Sequence, residues 1–119
     1  MIRREPQALL IDSNDTDIDG EIAIAAKYLR DRRASLVFAI GASKGGTAVL
    51  GAAARDDQLD GVIAASPVTT FGDVNLTRSK TLNLAIPVLV IVDEEDSSVL
   101  DVEVMERWNR PAAVHRRRR

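Results

Sequence analysis

The stretch SLVFAIGASKGGTAVLGAAA, from Ser35 to Ala54, joins three unlike pieces: an apolar run, a glycine-rich turn and a run of small side chains at helical spacing. Ser35 to Ile40 shows no alternation of polar and apolar residues, which predicts a strand covered on both faces, and Gly41 ends it abruptly. Gly41-Ala42-Ser43-Lys44-Gly45, with Gly46 behind it, satisfies the spacing Gly-x-Ser-x-Gly, and Thr47 to Ala54 reads as a helix. A serine between a buried strand and a helix must sit on a sharp turn, where a Cβ at Gly41 or Gly45 would strike neighbouring chain. That turn holds Ser43 out at the top of the sheet. The helix behind it directs N–H groups and the positive end of its dipole towards any oxyanion formed there, with the backbone N–H of Lys44 as the expected donor.

Outward from this stretch the chain repeats the same alternation. Ala8 to Ile11 predicts a first short buried strand, stopped by Asp12-Ser13-Asn14-Asp15. From Ile18 onward, Ile22, Ala25, Ala26 and Leu29 recur at helical spacing, and Asp15, Asp17 and Asp19 stand where a helix N-terminus favours acids. Leu59 to Ala65 and Ile86 to Val92 predict two more buried strands, separated by a polar stretch from Thr69 to Lys80 and a short helix near Leu82. Leu100, Val104 and Trp108 mark a last helix. Strand and helix in alternation imply crossover connections, hence an α/β domain: three layers, α/β/α, around a short, mostly parallel sheet. No linker divides residues 1–119, which read as a single domain, with 110–119 as a basic flexible tail.

Here the residues resemble a known family. LVFAIGASKGGTAVLGAAA is similar to the strand, nucleophile elbow and helix of the α/β-hydrolases, especially bacterial esterases and dienelactone-hydrolase-like members, and PVLVIVDEEDSSV resembles the strand and turn that present the family's acid. The resemblance implies acyl transfer on small esters: Ser43 as nucleophile, Asp96 as acid, His115 as base, and the Lys44 N–H in the oxyanion hole, with no cofactor and no metal. The order Ser43, Asp96, His115 agrees with the family's chain order. The resemblance begins near the strand that would be fourth of eight, so it implies a truncated fold, without the loop that supplies the second oxyanion N–H. It also leaves little chain for the strand that normally precedes the histidine, since only Pro111 to Val114 separate the last helix from His115. A catalytically inactive fragment that serves as an oligomerising or interaction module is therefore the alternative. A minor one is a dinucleotide-binding domain, because Gly41 to Gly46 also resembles the glycine-rich start of short-chain dehydrogenases; that reading needs a glycine at Thr47 and a catalytic tyrosine downstream, whereas Tyr28 lies upstream.

Composition narrows the remaining classes. A net charge of −2 argues against general nucleic-acid binding, and aromatic content of 3% leaves Ala, Val, Ile and Leu to build the core. The absence of cysteine excludes disulfides and thiolate sites, and no apolar run is long enough for a membrane span, so the expected compartment is the cytoplasm. Asp15-Thr16-Asp17-Ile18-Asp19-Gly20 begins like a calcium loop, but its twelfth position is Ala26 rather than glutamate, and acids at a helix start explain the run. Asp93, Glu94, Glu95 and Asp96 read either as the acid-bearing turn or as a solvated loop. An apolar first strand left at the edge of a truncated sheet predicts a homodimer or a domain-swapped oligomer.

Overall fold

The computed structural model describes residues 7–11, 18–55, 59–68, 70–71, 74–75, 86–95, 102–103 and 113–117. At its centre is α2 (Lys44–Arg55), in which Gly46 to Ala53 are all buried. A helix that is apolar on every side needs cover on every side. Sheet strands β1 (Phe38–Ala42) and β2 (Gly61–Ala65) lie against one flank, and α1 (Ile18–Asp31) packs beside it through Ile22, Ala26 and Leu29. The small side chains Ala48, Ala52 and Ala53 allow these close approaches.

The main sheet is wholly parallel, in the order β1, β2, β5 (Val88–Asp93), β6 (Ala113–Arg117). Parallel neighbours need a crossover, and α2 supplies the one between β1 and β2. Val62, Ala64, Val88, Val90 and Val92 point to the covered face and are buried, whereas their alternates Ile63, Leu89 and Ile91 are only half-buried. The α/β class and the short parallel sheet are as the sequence predicts. The described helices α1 and α2 pack against each other, and the second helical layer that the sequence predicts lies outside the described residues.

Several elements differ from expectation. Ala8 to Ile11 is not a strand: it pairs with nothing among the described residues, and Leu10 is 95% exposed. A short apolar run becomes a strand only where a ladder accepts it. The β1 run is buried on one face only, with Leu36, Phe38 and Ile40 all more than half exposed, and it continues through Gly41 to Ala42. Helix α2 begins three residues earlier than its apolar pattern, because the turn glycines are already helical. The polar stretch after β2 contains a two-stranded antiparallel ribbon, β3 (Thr70–Phe71) with β4 (Val74–Asn75). Residues 113–117 are not a tail but the fourth strand of the sheet, held in register by the free side of β5. The short helix near Leu82 lies outside the described residues, as does the helix of Leu100 to Trp108 apart from 102–103, where Val102 is buried.

The end of the sheet away from Ser43 is tied by Asp60. Its carboxylate accepts the Val37 N–H at 2.7 Å and pairs with Arg30 from the end of α1, while its own N–H donates to the Val37 carbonyl at 2.7 Å. One side chain thus joins α1, β1 and β2. Replacing Asp60 by Ala leaves the Val37 N–H without its acceptor and is expected to lower the unfolding free energy by about 1–3 kcal/mol in urea titration, without altering the other end of the sheet.

Candidate active site

Ser43 occupies the single residue between β1 and α2, is exposed, and has φ of 54°. A left-handed backbone is unusual for a serine and is held here by two bonds: the Ser43 N–H donates to the Ala65 carbonyl at 2.8 Å, and the Ser43 carbonyl accepts the first helical bond from Thr47 N–H at 3.1 Å. The first anchors the turn on the end of β2, and the second starts α2. Lys44 is the first residue of the helix, so its N–H lies in the turn where helix N–H groups face outward, and its side chain is exposed.

The glycines divide differently from the sequence expectation. A Cβ on Gly41 would stand 2.1 Å from the Gly45 carbonyl oxygen, so nothing larger than glycine fits. A Cβ on Gly45 would meet nothing within 4 Å, whereas one on Gly46 would stand 2.9 Å from the Ala65 carbonyl oxygen. The close approach that the turn requires is made at Gly41 and Gly46, not at Gly45. The reason is local: the first turn of α2 folds back over β1 at Gly41 and lies on the end of β2 at Gly46.

Two residues outside the sequence reading complete this end. Ser66, directly after β2, also has a left-handed backbone, φ 49°, and donates its N–H to the Ile91 carbonyl at 2.7 Å. Because Ala42 is in register with Ala65, Ser43 and Ser66 leave adjacent strands side by side. Thr47, wholly buried, fixes the chain that follows: its hydroxyl donates to the Val68 carbonyl at 2.9 Å and accepts the Val68 N–H at 3.0 Å. The only signal for either was a Ser-Pro pair after an apolar run and a threonine at a helix start. Thr47→Val keeps the shape but strands both groups of Val68; thermal denaturation is expected to show a loss of about 1–3 kcal/mol, largely restored by Thr47→Ser.

Of the three expected catalytic residues, Ser43 and His115 are described, and the structure does not bring these two together. Ala42, Ala65, Ile91 and His115 form one row across the sheet. His115 is therefore three strand spacings from the Ser43 turn, roughly 14 Å at the usual spacing of about 4.8 Å. It lies inside β6, two residues before the strand ends, so its exposed side chain stands off the sheet rather than reaching across its top. Within one chain this corrects the expectation of a Ser43–His115 hydrogen bond. Asp96, Asp15 and Asp17 lie outside the described residues, as does the side chain of Asp19. At the end of β5, Asp93 is in register with Arg117 and accepts the Glu95 N–H at 3.0 Å, the bond of a tight turn. Among the described residues no three acidic or histidine side chains gather as metal ligands, and no helix is long and apolar enough to cross a membrane.

The arrangement of this parallel sheet and its helices recurs in solved structures. A dienelactone hydrolase from Anabaena variabilis superposes with a TM-score of 0.72 at 24% identity over 87% of this chain and 50% of its own. The fold is that of the α/β-hydrolases. An esterase domain from a Rhodothermus marinus protein gives a TM-score of 0.68 at 16% identity, over 82% of this chain and 56% of that one. A predicted CIB-like hydrolase from Thermoplasma acidophilum gives 0.66 at 18% identity, over 88% and 49%. No family model matches the sequence, and no curated protein does. The chain spans about half the length of the structures it matches.

Proposed function

We propose that the chain is a serine-hydrolase-type domain acting on small esters by acyl transfer, with Ser43 as nucleophile. The observation that carries this reading is the Ser43 turn itself: a left-handed, exposed serine held between β1 and α2 by a glycine that no other residue can replace. Ser43 Oγ attacks the ester carbonyl and its proton passes to a base. The oxyanion is held by the Lys44 N–H, the alcohol leaves, and water releases the acid from the acyl-serine. Asp96, three residues beyond β5 in the sequence, is the acid that orients the base. The base has to come from outside this chain's β6, because His115 stands three strands away.

The rate expected of the chain alone is low. A site stripped of a triad member retains roughly 10³–10⁴-fold over water, and the loss of one oxyanion donor removes about 10²–10³ of that. About tenfold remains. That remainder does not depend on the serine, so the diagnostic is the rate above it: a p-nitrophenyl ester of a short acid should be cleaved faster by the wild type than by Ser43→Ala, with the rate unchanged in His115→Ala. Equal rates for the wild type and Ser43→Ala would sink the proposal. They would favour the second reading, an inactive hydrolase fragment that oligomerises, for which the placement of His115 is the supporting observation.

A further inference from the structure

Three described residues other than glycine have a left-handed backbone: Arg33, Ser43 and Ser66. Arg33 has an ordinary reason. It closes α1, where its N–H donates to the Arg30 carbonyl at 2.9 Å and the N–H of Ala34 to the Leu29 carbonyl at 3.0 Å, the pair of bonds that commonly ends a helix. Ser43 begins α2. Ser66 does neither: it follows β2, and no described helix ends before it or starts after it. Yet the chain holds it from both sides. Its N–H is bound to the Ile91 carbonyl, Pro67 is fully buried, and both backbone groups of Val68 are bonded to the Thr47 hydroxyl. Glycine adopts this conformation freely, whereas serine is strained in it. Strain of this kind, fixed by its surroundings, gathers at functional sites.

Ser66 repeats the Ser43 turn one strand over. In each, the residue before the serine ends a strand, and the serine N–H donates to the carbonyl of that residue's partner on the next strand, Ala65 for Ser43 and Ile91 for Ser66. Ser66 is half-buried beside the exposed Ser43, and among the described residues neither hydroxyl is hydrogen-bonded, to the other or to any group. The Ser66 hydroxyl therefore does not orient Ser43. We infer that it selects the acyl group: it donates a hydrogen bond to an oxygen on the carbon next to the ester carbonyl, so that the site takes 2-hydroxy- or 2-alkoxyacyl esters over plain alkanoyl ones. This rests on Ser43 being the nucleophile. Adjacent strands lie about 4.8 Å apart, and a hydrogen bond of about 2.8 Å uses more than half of that. The accepting atom must then lie within about two bonds of the attacked carbon. The ester's own alkoxy oxygen is needed by the acid that protonates it as it leaves, for which an alcohol is too weak, so the acceptor belongs to the acyl side.

p-Nitrophenyl methoxyacetate and p-nitrophenyl butyrate are nearly equal in size and differ by an oxygen in place of one methylene, at the position in question. For each ester the Ser43-dependent kcat/KM is taken above the background of the matching Ser43→Ala protein. The ratio of methoxyacetate to butyrate is then compared between the wild type and Ser66→Gly, which cancels the greater intrinsic reactivity of the methoxy ester. The ratio is expected to fall roughly three- to tenfold in Ser66→Gly, the range of one neutral hydrogen bond, with butyrate hydrolysis little changed. Glycine also relieves the strained backbone, so the variant should melt no lower than the wild type. An unchanged ratio with Ser43-dependent hydrolysis intact would overturn the inference and leave Ser43 as nucleophile. Equal losses on both esters would overturn it as well, since a hydroxyl that both need selects neither, and so would a markedly lower melting temperature, which would make the hydroxyl structural. Absence of any Ser43-dependent rate would remove the reading of Ser43 and this inference with it.

Discussion

Gly41→Ala is expected to lower stability by about 3 kcal/mol or more, seen as a drop in melting temperature of roughly 10 °C or greater, with loss of any Ser43-dependent activity. The added methyl would lie 2.1 Å from the Gly45 carbonyl oxygen and 2.3 Å from its carbon. Both are backbone atoms, so no side-chain rotation can relieve the contact. Either β1 withdraws from β2 or the first turn of α2 opens, and each breaks one of the two bonds that hold Ser43. Gly45→Ala is the matched control. Its new methyl meets nothing within 4 Å, and exchange of glycine for alanine in a helix favours the folded state by up to about 1 kcal/mol. A Gly45→Ala protein as damaged as Gly41→Ala would contradict this account of the turn. Gly46→Ala, with its contact to the Ala65 carbonyl at 2.9 Å, should fall between the two.

The turn was legible because three local signals agree there: the apolar run before it, the glycines within it and the small-residue helix after it. Strands β2 and β5 were legible for the same reason, as apolar runs between polar stretches. Where only one signal exists, pairing decides. Ala8 to Ile11 and Ala113 to Arg117 are about equally short; the first finds no ladder among the described residues, while the second, though rich in arginine, is taken up by the free side of β5. Because charged side chains can stand off one face of a strand, composition alone marked that segment as a tail. The one-sided exposure of β1 was hidden too, since an unbroken apolar run records what a strand can bury and not what covers it. In the site, chain order suggested a triad, but a histidine within β6 is directed by the pleat, and the row Ala42 to His115 sets it three strands from the serine. Thr47 and Ser66 carry no motif; their roles follow from what α2 and β2 bring next to them.

The second large effect concerns Ser43 itself. A fluorophosphonate reacts when a serine oxygen displaces fluoride from phosphorus, and the developing charge on the phosphoryl oxygen is met by the same N–H groups that would hold an ester's oxyanion. Ser35 provides an internal comparison: it is also exposed and lies on the same tryptic peptide, Ala34 to Lys44, but ends no strand and starts no helix. Fragmentation of that peptide from the folded chain should place the phosphonyl group on Ser43, at least about tenfold over Ser35, with the preference lost in denaturant and unaffected by His115→Ala. Labelling of Ser43 no faster than of Ser35 in the folded chain would contradict the assignment of Ser43 as an activated nucleophile and leave the turn as architecture alone.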